Sequence, residues 1–277
     1  MALAWYSIPA KIGEQLATAV GRVSMVLYPL TGSYVGRDDR DSVVALYNAF
    51  LRLSLILSVI AVVIARTHGG EILHLWLRMD LSANAGSILL IAMLTALFRT
   101  PGTVAYHVAN GLGKPGVPLL AGGIGATTSV IGAYLGAVYN GPVGAACGFL
   151  ASAVLTNVAF DGVVRMRLLA VGTARWLDPY ARTLLALIIA GIVSPALTAS
   201  PADTMPLAFL KAGAAVVLSL GFGFCLGLLR IADIRLLLQK QSGAEPLIRD
   251  RERRAMPTSR LARVFPKAPH EHMRPYT

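Results

Sequence analysis

The sequence predicts an all-α fold, a polytopic membrane bundle of about seven transmembrane helices. Three observations carry that prediction. Only 14% of the 277 residues are charged and 55% are hydrophobic, whereas soluble domains carry about 25% charged residues. The mean hydropathy is +0.63. The apolar residues fall in long runs, separated by short groups of turn and breaker residues: "GRDDRDS", "GKPG", "YNGP", "WLDPY" and "SPADTMP". A soluble core has no use for so many runs of that length.

Helix one is predicted over 8–35. Its Lys11, Glu14, Gln15, Thr18, Arg22, Ser24 and Thr31 are too polar for a lipid-facing span, so it is expected to border a cavity, with a kink from Pro29. Helix two covers 42–66 and holds Arg52. The segment 67–83, which begins "THGGEILHLWLR", reads as an amphipathic interfacial piece through Ile72, Leu75 and Trp76, not as a His68–His74 ligand pair. Helix three covers 84–111 and contains Arg99 and Pro101. Helices four (116–138) and five (142–166) carry Gly125, Gly132, Gly136, Gly144 and Gly148 at small-xxx-small spacings, which predicts a tightly packed helical hairpin. Helices six and seven are expected at 181–199 and 206–230.

Lys/Arg asymmetry sets the orientation. "YNGP" and "SPADTMP" carry no Lys or Arg, while the segment 165–182 carries Arg165, Arg167, Arg175 and Arg182. The part from Arg230 onward carries 11 Lys/Arg against 5 Asp/Glu, more than half of the formal charge of +11. The C-terminal tail and 165–182 are therefore expected in the cytoplasm, near anionic head groups, and the neutral turns outside. Alternation puts Lys114 inside and the N-terminus outside. "MALAWYSIPAKIGEQ" lacks the cationic-then-apolar form of a signal peptide.

Arg22, Arg52 and Arg99 fall at similar depth near the middle of their helices. A charge at the bilayer centre costs roughly 2.5–3.5 kcal/mol on insertion scales. Lining a water-filled cavity relieves that cost, and the guanidinium fork suits phosphate. Local pairing is the alternative, but Arg52 and Arg99 have no acid within a helical turn. Asp161 and Arg165 sit at i,i+4, the spacing of a pair that anchors a helix end. An ion or proton site at Glu14 or at Asp161 is the other reading of those acids. Cys147 and Cys225 read as packing residues. "HEH" at 270–272 lies in the tail and is read as solvated. No Walker motif, metal set, cofactor site or catalytic cluster is found, so no enzyme is expected, and the tail has no nucleic-acid-binding motif.

The order of features resembles one family. "YSIPAKIGEQ" supplies Tyr6 and Lys11, an apolar helix leads to Pro29, and a Gly-plus-acid turn follows with Gly36, Asp38 and Asp39. "EILHLWLR", "NGLGKP" and "YNGPVGAACGFLAS" come next in order. Across roughly 5–170 the chain resembles the second half of polysaccharide or oligosaccharide flippases, Wzx-like members of the multidrug/oligosaccharidyl-lipid/polysaccharide exporter superfamily. The resemblance implies a two-lobe exporter in the bacterial inner membrane that moves undecaprenyl-diphosphate-linked oligosaccharide through a cationic cavity. It divides the chain into C-terminal-lobe-like helices (1–170), an additional helix pair (171–230), and a basic cytoplasmic tail expected to be disordered (231–277). Full members are about twice as long, so a separately encoded N-terminal lobe is an expected partner beside the lipid-linked oligosaccharide and the bilayer. A cation-coupled drug exporter, a membrane-embedded enzyme of polysaccharide assembly, and a non-catalytic subunit or remnant remain as other readings.

Overall fold

A computed structural model gives the three-dimensional structure and describes residues 2–77 and 84–197, with 213–214, 216–217 and 220–221. The described residues contain helices and no strand. In chain order these are α1 (Ala2–Ser24), α2 (Leu27–Val35), α3 (Arg40–Leu77), α4 (Asn84–Gly111), α5 (Gly116–Gly162), a π-helical turn (Val163–Leu168) and α6 (Thr173–Leu197).

The expected first helix is two helices, and Pro29 explains where they part. Proline has no N–H to give to the carbonyl four residues back, and its ring crowds that carbonyl. The carbonyl concerned is that of Met25, and the chain turns at Met25–Val26. There Tyr28 N–H reaches the Met25 carbonyl with a tighter bond of 3.2 Å.

α3 begins where the acidic turn predicts. Asp39 Oδ1 accepts the Ser42 N–H at 3.1 Å, a side-chain cap on the first turn. It does not stop near residue 66 but runs on through 67–77. At 38 residues it is about 57 Å long, well beyond a hydrocarbon core of ~30 Å. Packing against the start of α4 supports the extension: a methyl on Gly69 would lie 3.0 Å from Leu89, and one on Gly86 would lie 3.6 Å from the Gly70 backbone. His68 is buried there, 3.2 Å from Glu71.

α4 is the hub, packed against α1, α2, α3 and α5. Small residues permit the close approaches. A methyl on Gly13 would sit 3.0 Å from Ala92 Cβ, one on Gly111 would sit 2.6 Å from Thr31 Cβ, and one on Gly102 would collide with Asn157. Ser58 and Thr100 join α3 to α4 by a buried hydrogen bond of 3.0 Å.

α5 is folded in two. Asn140 (φ −145°, ψ 32°) and Gly141 (φ 54°, ψ −141°) leave the helical region, and the positive φ suits glycine. The arms, 116–139 and 142–162, are each roughly 31–36 Å long. Gly136 meets Gly144 and Gly132 meets Gly148 backbone to backbone, while Thr128 bonds Ser152 at 2.8 Å. These pairs lie four, eight and twelve residues on either side of Asn140, an antiparallel register that leaves no room for a side chain at the glycines. The outward face is apolar and exposed through Leu119, Leu120, Val130, Tyr134 and Tyr139.

Three described stretches are long and apolar enough to cross a membrane: Arg40–Leu75, Ala85–Gly111 and Gly116–Leu168, the last being the hairpin. This is the build of a helical membrane protein. α6 starts two turns before the predicted 181, because the polar segment "TARWLDPYAR" is seated on the end of α5. The predicted helix 206–230 lies almost wholly outside the described residues, as does the tail.

Candidate functional site

The opposite faces of α4 have different chemistry. Ala96, Leu97, Thr100, Val104 and Val108 are buried. Thr95, Arg99 and Thr103 recur every four residues, which stacks them on one face. That face borders two adjoining cavities. The first, about 610 Å³, lies between α1, α4 and the second arm of α5, and its lining includes Tyr6, Glu14, Thr18 and Phe149. The second, about 530 Å³, lies between α4 and both arms of α5, and its lining includes Tyr106, Ser129, Thr156 and Asn157. Thr95, Arg99, Thr103 and Phe149 line both, so Arg99 stands on the boundary between them. The volumes fall in the ~300–1,000 Å³ range of small-molecule sites.

The arginines predicted at mid-depth are placed differently. Arg99 is exposed into the two cavities. Arg22 is exposed on α1, and Arg52 is half-buried on α3 with its Nε donating to the Asn48 carbonyl of the same helix at 3.2 Å. Neither Arg22 nor Arg52 is in the lining of these two cavities. Glu14 does line the first cavity. Lys11 Nζ holds its carboxylate at 2.6 Å, and Arg99 lines the same cavity.

Asp161 lines neither cavity. It is fully enclosed where α3, α5 and α6 meet. Tyr47 from α3 donates a short hydrogen bond to Oδ1. Trp176 Nε1 and Tyr180 Oη from α6 donate to Oδ2 at 2.8 and 2.7 Å. The predicted partner Arg165 is 3.9 Å away, close enough for charge attraction only. Its guanidinium donates instead to Asn48 Oδ1 (3.0 Å), the Arg175 carbonyl (2.9 Å) and the Trp176 carbonyl (3.2 Å). It also lies over the Tyr47 ring, 5.6 Å from the centroid. A carboxylate with three donors and a cation nearby is well satisfied without an ion.

Sequence reasoning did not single out the threonines beside Arg99 or Asn157. The signal was present at 95, 99 and 103, where the four-residue spacing places polar groups on both sides of the arginine. Asn157 offered no such signal, since only the fold of the hairpin brings it to Gly102. Among the described residues, no cluster of three or more His, Cys, Asp or Glu could hold a metal ion. The tail residues 270–272 lie outside the described part. Protein-family models, curated proteins and solved structures were compared with the chain, and none matches it.

Proposed function

We propose that the chain is the C-terminal part of a flippase that moves undecaprenyl-diphosphate-linked oligosaccharide across the bacterial inner membrane during polysaccharide biosynthesis. In this reading the bundle has seven spans, the hairpin contributing two, and the C-terminus lies in the cytoplasm. An N-terminal lobe completes the transporter in this reading, because one lobe has no counterpart against which to rock.

One observation carries the reading. Arg99, at the middle of an apolar span, is exposed into a cleft that also holds hydroxyl, amide and carboxylate side chains, and not into a packed core. A guanidinium so placed meets an anionic ligand with several donors at once, as a diphosphate requires. The rest of the cleft is open and combines hydroxyl and amide groups with small apolar residues and phenylalanine rings, which suits an amphipathic ligand that must enter and leave. The test is Arg99→Gln in the producing bacterium. Surface polysaccharide is expected to fall at least about tenfold, the loss of one charge-assisted contact, with unchanged protein in the membrane. Full output at an equal protein level counts against the reading.

Glu14 favours a second reading, a cation-coupled exporter, because it is an acid on a cavity wall. Its pairing with Lys11 weakens that reading. Export of a cationic dye that depends on Glu14 and is indifferent to Arg99 would favour it over the flippase.

A further inference from the structure

We propose that the junction of α3, the π-helical turn and α6 is a binding site for an anionic phospholipid, with Arg167 and Arg175 on its phosphate. The site is remote from the cleft, and the proposal is independent of what the cleft carries.

Two other arginines fix the backbone of this junction. Arg165 is buried and donates to the Arg175 and Trp176 carbonyls in the first turn of α6, at 2.9 and 3.2 Å. Arg40, at the start of α3, donates to the Leu168 carbonyl at 2.5 Å. Between these anchors the Val171 N–H returns to the Arg165 carbonyl at 2.9 Å, so the connection 169–172 is tied back on the turn. Arg167 and Arg175 stand on either side of that connection, and both are exposed. Their own backbone is held, at the Arg175 carbonyl by Arg165 and at the residue after Arg167 by Arg40.

The protein leaves these two charges uncompensated. Among the described residues neither Arg167 nor Arg175 has an ion pair. The acids of this end are engaged elsewhere. Asp161 accepts from Tyr47, Trp176 and Tyr180, Asp178 accepts from Arg182 at 2.8 Å, and Asp39 caps α3. Asp38 and Asp41, exposed on the α2–α3 side, pair with neither arginine.

Length sets the depth of the pair. The second arm of α5, 142–162, is about 31 Å long and matches a hydrocarbon core of ~30 Å. With the Asn140–Gly141 turn at one surface, residues 163–175 fall in the head-group layer of the other. Exposed apolar side chains adjoin them: Val163 and Met166 of the π-turn, and Leu177, Leu184 and Ile188 along α6. A ligand complementary to this surface joins an anion to acyl chains. The guanidinium fork takes two oxygens of a phosphodiester at once. Free phosphate would leave the apolar flank without a partner, and a zwitterionic lipid brings an ammonium group that the arginines oppose.

The test uses the full chain in phosphatidylcholine vesicles, with Trp5→Phe and Trp76→Phe so that the half-buried Trp176 at the junction is the one tryptophan left. Quenching of Trp176 by acyl-brominated phosphatidylglycerol reads local lipid exchange. Phosphatidylglycerol is expected to displace phosphatidylcholine with a preference of about thirtyfold, the worth of two arginines near a charged surface. Arg167→Gln with Arg175→Gln is expected to bring the preference within about threefold of parity, the contribution left to the other basic groups of this end. Arg167→Lys with Arg175→Lys keeps the charge and is expected to keep most of the preference. Arg182→Gln, at the arginine held by Asp178, is expected to keep it as well. Equal quenching by the two lipids in the unaltered residues of the junction, or a preference that survives in the glutamine pair, overturns the proposal. Displacement of the brominated lipid by soluble glycerol phosphate identifies free phosphate as the ligand and overturns it too.

Discussion

Asp161 and Arg99 are both ionisable residues in apolar helices, and the structure accommodates them in opposite ways. Asp161 is enclosed and receives hydrogen bonds from Tyr47, Trp176 and Tyr180. Removing one partner of a buried charged cluster leaves the others unpaired, at a cost of about 3–5 kcal/mol. Asp161→Asn is therefore expected to lower the melting temperature of the detergent-solubilised protein strongly, and Tyr180→Phe by the smaller amount of one charged hydrogen bond, about 2 kcal/mol. Arg99 is exposed in its cleft, so Arg99→Gln is expected to melt within about 1 kcal/mol of the unaltered chain, like other substitutions at exposed positions. A large loss of stability there would mean that Arg99 is a packing residue. The sequence made the Asp161–Arg165 pairing legible, because i,i+4 on a helix is a local relation. It could not show Tyr47, which is 114 residues away, and it is the aromatic donors, more than Arg165, that partner the carboxylate.

The hairpin is the element where sequence and structure agree most closely. Glycines at four-residue spacing on both sides of a Gly-Pro turn are a periodic, local signal, and the arms meet at those glycines. Gly136→Val is expected to push the arms apart, because its side chain would enter the Gly144 backbone. Overpacking of this kind costs roughly 1–3 kcal/mol or more, and the loss is read as a lower melting temperature and weaker cross-linking between cysteines at 128 and 152. Gly122→Ala meets nothing within 4 Å and is expected to be neutral or slightly stabilising. Other element ends were less legible. Pro29 signalled a kink, but the clean break at Met25–Val26 depends on which carbonyl loses its donor. The helix expected to end at 66 runs on through Gly69 and Gly70, which serve close packing against α4. The polar start of α6 is helical only because the end of α5 supplies partners, which no local pattern records.

At the scale of the molecule, α4 packs against α1, α2, α3 and α5 and borders a cleft of mixed polar and apolar lining. The orientation of the bundle gives a direct prediction. In a background of Cys147→Ala and Cys225→Ala, a cysteine replacing Asn140 at the hairpin turn is expected to react with a membrane-impermeant maleimide in intact cells. A cysteine replacing Lys114 is expected to react only after the membrane is opened. The reverse pattern would invert the topology and place the basic C-terminal segment outside. The junction at Asp161 also bears on how the protein is made. Trp176 and Tyr180 leave the ribosome after Asp161, Tyr180 by 19 residues, or about 1–4 s at ordinary rates of synthesis. Through that interval the charged end of the nascent hairpin has only the partners supplied by α3, Tyr47 and Asn48. The insertion machinery must shelter it until α6 arrives, and a ribosomal pause within 162–176 would lengthen its exposure to membrane quality-control proteases.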